Sequence, residues 1–361
     1  MDTWKFYTDG LKEMQVLKHN PRFFFSELTH DPYNDGYGKI LGTTNSYWND
    51  LKYNVMIKLA GIFNLFSGAN YYTNVIFYSV LSFIGPVALF RLLKQLFTSG
   101  NNVKLIIICF GIPSVAFWTG GFHKEGLLYS AIGLIVYYTY QIIQTGFKVS
   151  SVAVILLSFA AVFILRNNLL LGLLPAWAIW IISEHYKAFV RPIFFAGGVI
   201  FIVLFFTAKW FDARLNLPAY VSQRQQEFMQ LGGNTAVKTD ILEPTFTGFI
   251  RHLPAALNMG FLRPHIGEGG LFYIPFTLEI YALIGFYLLM ILYRKKSDPP
   301  LPFFYFSLFF AFITCLMIGY TITNTGAAIR YKSVALNFLF LIPLMKFPGN
   351  LLKGFTGRFD I

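Results

Sequence analysis

The chain has 361 residues, of which 55% are hydrophobic, 19% aromatic and 13% charged, and its formal net charge is +12. Charged residues make up about a quarter of an average soluble domain, so this composition excludes an ordinary soluble domain and indicates that the bilayer is the solvent. The basic residues lie mostly in short links between apolar runs, which is typical of membrane proteins, and no compact basic module points to nucleic acid as a partner.

The chain begins with residues 1–69, which precede the first apolar run long enough to span a membrane. Residues 30–48 are rich in Asp, Asn, Gly and Tyr, and this composition predicts a loop. Residues 51–67 alternate lysine with apolar residues at helical spacing, but they are short and charged for a span. We predict that they form an amphipathic helix in the membrane interface.

Nine further runs are predicted to be transmembrane helices, because a spanning helix needs about 20 mostly apolar residues. They are residues 70–94, 103–119, 126–146, 150–166, 168–183, 191–211, 271–293, 302–320 and 331–347. Only Arg166, Asn167 and Asn168 separate the fourth run from the fifth, so these two runs could instead form one broken element.

The predicted fold class is therefore an all-α, polytopic bundle of about nine transmembrane helices, with interfacial helices in its outer loops. Residues 70–211 carry the first six helices, residues 212–270 form an outer-face loop or cap, and residues 271–361 carry the last three helices and a short cytoplasmic tail.

The orientation follows from the basic residues between the spans, because cytoplasmic loops are enriched in Lys and Arg. If the nine spans alternate, five clusters fall on one side: Arg91, Lys94 and Lys104; Lys148; Lys187 and Arg191; Arg294, Lys295 and Lys296; and Lys346, Lys353 and Arg358. We expect that side to be the cytoplasm and the membrane to be the bacterial inner membrane, with the active site facing the periplasm. Residue 1 then lies outside without a signal peptide, so we expect that an upstream helix is missing from this sequence; the alternative is an N-terminus that is translocated without a signal.

Acidic residues near the start of the chain are candidates for catalysis. Asp2 and Asp9 lie among aromatic residues in MDTWKFYTDG, and Asp31 and Asp35 follow. Transfer of a sugar requires a base to deprotonate the acceptor hydroxyl or a carboxylate to orient it. The alternative is that these side chains are solvated or cap helices.

The predicted outer turn GGFHKEG, residues 120–126, brings three polar side chains together. His123 or Lys124 could bind a phosphate, and Glu125 could bind a hydroxyl or a metal ion; charges so close to an apolar segment are often functional. The alternative is that Glu125 only stabilises the positive end of the following helix. A divalent cation is thus the one candidate cofactor, and no metal ligand is assigned.

Arginines at the outer ends of spans could hold an anionic lipid. Arg166 ends an apolar run, and Arg330 with Tyr331 precedes the last run. A guanidinium presents paired donors that match phosphate oxygens, whereas the alternative for Arg166 is that it extends its charge to the interface.

Glu279 lies about two turns into a predicted span. An ionisable group at that depth is by default a candidate functional residue, and the alternative is a structural ion pair with Arg166 or Arg330.

In the outer segment 212–270, we predict a short helix at 221–231 and an interfacial or re-entrant helix at 246–264, which could cap a groove and select the acceptor. The sequence has no zinc-protease, serine-hydrolase or nucleotide-binding motif, and Cys109 and Cys315 lie singly in apolar runs.

Three segments carry a resemblance to a known superfamily. DTWKFYTDG with the loop after it resembles the first outer loop of GT-C fold glycosyltransferases, PSVAFWTGGFHKEGLL resembles their second outer loop, and IRYKSVALNFLFLIPLM resembles the last helix of members similar to protein mannosyltransferases and aminoarabinose transferases. The resemblance implies a sugar donor linked to a polyprenyl phosphate or diphosphate. It also implies that Asp2, or else Asp9, acts on the acceptor and that Lys124, Arg166 or Arg330 meets the carrier phosphate. The chain lacks the first span of that pattern and an acid paired with Asp2.

The predicted function is transfer of a sugar from a polyprenyl-phosphate carrier to a glycan, lipid or protein acceptor outside the cytoplasm. One alternative is an O-antigen or exopolysaccharide polymerase, which the long outer segment 212–270 would fit. The other is a transporter or flippase for lipid-linked glycans, which is less favoured because the polar residues gather at one predicted face and no two halves of the chain match.

Overall fold

The computed structural model describes residues 2–28, 47–97, 102–292 and 301–346, except for the side chains of Asp2 and Asn49. In these residues the chain is helical and forms no strand. The helices are α1 (Asp2–His19), α2 (Pro21–Ser26), α3 (Tyr47–Ser67), α4 (Tyr71–Leu96), α5 (Asn102–Phe110), α6 (Pro113–Gly120), α7 (Lys124–Thr145), α8 (Val149–Arg166), α9 (Leu170–His185), α10 (Val190–Thr207), α11 (Leu217–Leu231), α12 (Phe246–Leu257), α13 (Ile274–Leu292), α14 (Pro302–Thr321) and α15 (Thr325–Lys346). The predicted all-α class is confirmed.

Seven helices of the described residues are long and apolar enough to cross a membrane, and the pair α5–α6, bent by 52°, would make an eighth. They are Tyr71–Leu96, Lys124–Thr145, Val149–His185, Lys187–Trp210, Leu271–Leu292, Pro302–Thr321 and Thr325–Lys346. Nine spans were predicted from the sequence; two of them, 150–166 and 168–183, fall in the single helical run Val149–His185, and a third, 103–119, falls in the bent pair α5–α6. Within that run, Arg166 has φ −159° and ψ 80°, which are not helical values.

The chain divides into two compact units, the first formed by Met1–Leu96 and Ala116–Leu170. In this unit, α4 and α7 approach closely at glycines. A Cβ atom on Gly133 would meet the backbone of Gly85, and one on Gly85 would meet the backbone of Ser130. Small residues allow this approach between helices in a bilayer, where tight packing replaces the hydrophobic effect as the source of association.

The first unit also contains the pair α1–α3, neither of which is among the candidate spans. The predicted helix at 51–67 is confirmed as part of α3, whereas α1 was not predicted. Gly10 of α1 lies against Ala60 of α3, and Gly61 of α3 lies against Glu13 of α1, so no larger side chain fits at either glycine. Asp31 and Asp35 lie outside the described residues.

The second unit is formed by Phe97–Val115 and Leu171–Ile361. Its core is aromatic: Trp180 packs on Phe306, Phe306 stacks on Phe310, and Phe310 meets Phe338 of α15 edge to face at 5.2 Å between ring centres. The predicted helices at 221–231 and 246–264 are confirmed as α11 and as α12 with the π-helical turn that follows it. The predicted basic residues Arg294, Lys295, Lys296, Lys353 and Arg358 lie outside the described residues.

Candidate functional site

A buried ion pair in the first unit joins two of the predicted site residues. The guanidinium of Arg166, at the end of α8, lies 2.5 Å from a carboxylate oxygen of Glu125 in the first turn of α7. The side chain of Glu125 is fully buried and that of Arg166 is 10% exposed. In this structure the ion pair connects α7 and α8 at this level and shields the Glu125 carboxylate from solvent.

Aromatic side chains fix the turn before Glu125. The phenol of Tyr78 donates a hydrogen bond to the backbone carbonyl of His123, and Tyr78 packs on Phe122 with 4.7 Å between ring centres. Trp118 meets the imidazole of His123 edge to face at 5.1 Å. These contacts hold the backbone immediately before Lys124.

Phe6 of α1 connects this turn with the acidic N-terminal segment. The ammonium of Lys124 lies 5.7 Å from the centre of the Phe6 ring, within the range of a cation–π contact. The same ring lies 5.5 Å from the ring of Tyr53, whose hydroxyl donates a hydrogen bond to Asp9. Phe6 and Tyr53 thus connect two of the predicted site residues, Lys124 and Asp9.

Asp9 is held as a carboxylate by its surroundings. Partial burial alone would raise its pKa, but hydrogen bonds from Tyr53 and Lys12 and the charges of Lys12 and Lys5 outweigh burial and lower the pKa below its ordinary value. The ammonium of Lys12 lies 3.3 Å from the Asp9 carboxylate and is largely exposed. An ionised, half-exposed carboxylate next to tyrosine suits the orientation of a hydroxyl group.

A second buried charge cluster in this unit was missed by the sequence interpretation. Lys58 of α3 lies 2.7 Å from Glu13 and 2.8 Å from Glu27, and all three side chains are largely buried. The ammonium also lies 4.4 Å from the centre of the Phe24 ring. The spacing of lysines in residues 51–67 predicted the helix that carries Lys58. The acidic partners of Lys58 lie in α1 and at the end of α2, and neither segment was predicted to be helical.

In the second unit, Glu279 of α13 is buried within a candidate span. Its two carboxylate oxygens accept hydrogen bonds of 2.7 Å from the backbone amide and the hydroxyl of Ser114, near the start of α6. Its charge also interacts with that of Lys332. The functional role of Glu279 and the alternative of an ion pair with Arg166 or Arg330 both stay predictions.

Arg330 and Tyr331 lie in the second turn of α15, also in the second unit. The Arg330 guanidinium is 6.0 Å from the centre of the Tyr331 ring, and Phe228 of α11 meets that ring edge to face. Asp2 begins α1, but its side chain lies outside the described part of the chain. Among the described residues, no three His, Cys, Asp or Glu side chains come together in a way that could hold a metal ion.

The fold and these sites define the class of the protein: it is a polytopic α-helical integral membrane protein. No family model, curated protein or solved structure matches the chain.

Proposed function

We propose that the protein is a membrane glycosyltransferase that moves a sugar from a polyprenyl-phosphate carrier to a hydroxyl acceptor outside the cytoplasm. The observation that supports it best is the arrangement around Phe6, whose ring contacts both the ammonium of Lys124 and the ring of Tyr53, the residue that donates a hydrogen bond to Asp9. A lysine ammonium can bind a phosphate, a carboxylate can orient a hydroxyl, and aromatic rings can pack against a sugar.

In the proposed reaction, the acceptor hydroxyl is oriented by Asp9 and attacks the anomeric carbon of the donor sugar. The new glycosidic bond forms as the bond from that carbon to the phosphate oxygen breaks, and the hydroxyl proton passes to Asp9 and then to water. The leaving lipid phosphate takes the bonding electrons, and its growing charge is stabilised by Lys124. Asp2 remains a candidate for the role given to Asp9.

Glu125 and Arg166 act in this proposal as positioning residues. Arg166 was predicted to clamp the phosphate, but its guanidinium is engaged with a fully buried carboxylate. The pair holds the first turn of α7, from which Lys124 projects. Arg330 lies beside Tyr331 in the second unit, and its predicted contact with a carrier phosphate stays a prediction from the sequence.

The proposal can be tested with the purified protein in lipid nanodiscs that contain synthetic hexoses or pentoses linked to polyprenyl phosphate. Mass spectrometry would measure the release of free polyprenyl phosphate in the presence of glycan, lipid and peptide acceptors. We expect Asp9→Asn to reduce release by about a hundredfold, as removal of an acid–base group usually does, and Lys124→Gln to reduce it as well. Arg330→Ala is expected to reduce turnover more than it reduces expression.

Two matched controls separate these roles from a general loss of charge. Asp212→Asn removes an exposed carboxylate whose one partner among the described residues is Arg214, and Lys209→Gln removes an exposed lysine; both should leave release unchanged. No release with any donor would contradict the proposal. A ladder of lengthened glycans would instead identify a polymerase, and movement of intact donor across a proteoliposome membrane would identify a transporter.

A further inference from the structure

A cavity of about 220 Å³ lies in the second unit, among α11, α12, the segment 237–239 and the end of α14. Its polar lining includes Gln225, Lys238, Thr239, His252, Asn258 and Arg263. The volume is somewhat below the roughly 300–1,000 Å³ of sites for drug-sized ligands, so the cavity suits one small group rather than a large ligand.

The charge of the lining has one sign. Lys238 and Arg263 are cationic, His252 can become so, and no carboxylate lines the cavity. Arg263 is already paired with Glu268 at 2.9 Å, whereas Lys238 is exposed and forms no ion pair with any described residue. The charge of the lining is therefore complementary to an anion, and Lys238 is the cation that an anion would neutralise.

Two polar atoms in the walls are buried without a hydrogen-bond partner among the described residues: the hydroxyl oxygen of Thr239 and Nε2 of His252. The other ring nitrogen of His252 lies 2.9 Å from the carbonyl of Gly248, which can only accept, so Nδ1 carries a hydrogen. Nε2 can then accept from a hydroxyl or, in the imidazolium, donate to an anionic oxygen. A buried polar atom without a partner costs about 1–3 kcal/mol, so a ligand that satisfies both atoms is favoured.

The walls are fixed before any ligand arrives. The side chain of Gln225 accepts from the amide of Leu242 at 2.7 Å and donates to the carbonyl of Asp240 at 3.2 Å. The amide of Val237 donates to the carbonyl of Thr323 at 2.7 Å. Because the segment that carries Lys238 and Thr239 is bonded at both ends, little ordering is needed on binding.

We propose that this cavity binds a phosphate group, which Lys238, Thr239 and Nε2 of His252 hold. The phosphate could belong to a soluble sugar phosphate or to a lipid headgroup, and both offer the same oxygens to these three side chains. This site is formed by other residues than those around Phe6, and it does not depend on the glycosyltransferase proposal.

Binding can be measured with the full chain in nanodiscs of neutral lipid. Inorganic phosphate and glucose 1-phosphate, titrated at constant ionic strength, test the soluble source; nanodiscs that contain phosphatidic acid or polyprenyl phosphate test the lipid source. The readout is the rise in melting temperature, which follows occupancy of the folded state. We expect one of the two arms to stabilise the protein, and Lys238→Gln and Thr239→Val each to weaken that binding by about tenfold, the usual cost of one hydrogen bond to a charged group.

Lys209→Gln is the matched control, because it removes an exposed lysine of the same unit that does not line the cavity. Stabilisation that Lys209→Gln weakens as much as Lys238→Gln would reflect net charge and would overturn the proposal. The absence of stabilisation in both arms would overturn it too. Because sugar transfer is not measured, failure here would leave the roles of Asp9 and Lys124 unaffected, and the reverse also holds.

Discussion

Arg166 and Glu125 are bound to each other at 2.5 Å in a place where the carboxylate has no contact with solvent. The first belongs to the last turn of α8 and the second to the first turn of α7, so their contact ties two antiparallel neighbours at one level. A charge so deeply buried is retained only if its partner stays in place.

The first prediction concerns this pair. Glu125→Gln should lower the free energy of unfolding by about 3–5 kcal/mol, because it leaves the charge of a largely buried arginine uncompensated. Melting of the purified protein in detergent measures the loss. The double variant Glu125→Leu with Arg166→Met should recover much of the lost stability, since no charge remains buried.

The control is Arg214→Gln, which breaks an ion pair whose arginine side chain is 92% exposed. It should change the free energy of unfolding by less than about 1 kcal/mol. Equal melting of Glu125→Gln and the unchanged protein would refute the structural role.

The second prediction concerns Lys58, which lies between Glu13 and Glu27. Lys58→Met leaves two carboxylates buried close together without a cation, so α1 and α2 should separate from α3. Hydrogen exchange followed by mass spectrometry should then show faster exchange in α1. The triple variant with Glu13→Gln and Glu27→Gln should restore slow exchange in part. Slow exchange in the single variant would mean that the packing of Gly10 on Ala60 alone holds α1.

The third prediction is a pH dependence. The pKa of Asp9 is lowered, so the stability that its carboxylate contributes is complete above the ordinary value of 3.8 and is lost as the pH falls through the lowered value. Tyr53→Phe removes a hydrogen bond to the ionised form, so the pKa of Asp9 should rise and the loss should begin at a higher pH. Carboxyl ¹³C titration of the labelled protein measures the pKa of Asp9.

The control is Tyr7→Phe, because the hydroxyl of Tyr7 donates to the carbonyl of Ala69 instead; this variant should not change the titration of Asp9. A titration that Tyr53→Phe also leaves unchanged would show that the lysines alone lower the pKa.

The apolar helices could be predicted from the sequence, because a run of about 20 apolar residues has few alternatives to a membrane-spanning helix. It failed at α1, whose sequence is polar and whose helix depends on contacts with α3 such as Gly10 on Ala60. The bend between α5 and α6 had a signal that was not used: Gly111 and Pro113 flank the break, and such residues commonly end helices.

Two of the predicted site residues, Glu125 and Arg166, are in direct contact in the first unit. Their pairing could not be derived, because it depends on which helices are neighbours. Glu279 was predicted to be a functional residue, with an ion pair to an arginine as the alternative. In the structure its carboxylate accepts hydrogen bonds from the hydroxyl and the backbone amide of Ser114, because a helix that starts in the middle of an apolar run leaves such amides available.

The fourth prediction concerns the run Val149–His185, which has 37 residues. Helix α8 has 18 residues and α9 has 16, so each is about 24–27 Å long, and the non-helical backbone at Arg166 allows the chain to turn between them. We therefore expect Lys148 and Lys187 to lie on the same, cytoplasmic, face.

Single cysteines at these two positions would test it, in a background where the buried Cys109 and Cys315 are replaced by alanine. A maleimide that cannot cross the membrane should label both from the same side. Labelling from opposite sides would mean that the run crosses once, and the basic clusters after it would then exchange faces.

The hydrogen bonds that anchor α5 and α6 have a consequence for how the protein is made. The carbonyl of Ile108 accepts a hydrogen bond from the side chain of Asn337, which lies 229 residues later in the chain. The hydroxyl of Ser114 donates a hydrogen bond to Glu279, which lies 165 residues later. At roughly 5–20 residues per second, a ribosome needs about 10–45 s to supply Asn337 after Ile108 has been synthesised. During that interval the carbonyl of Ile108 and the polar groups of Ser114 must bond to water or be covered by the translocon or a chaperone. We therefore expect that quality-control proteases recognise nascent chains arrested before Glu279.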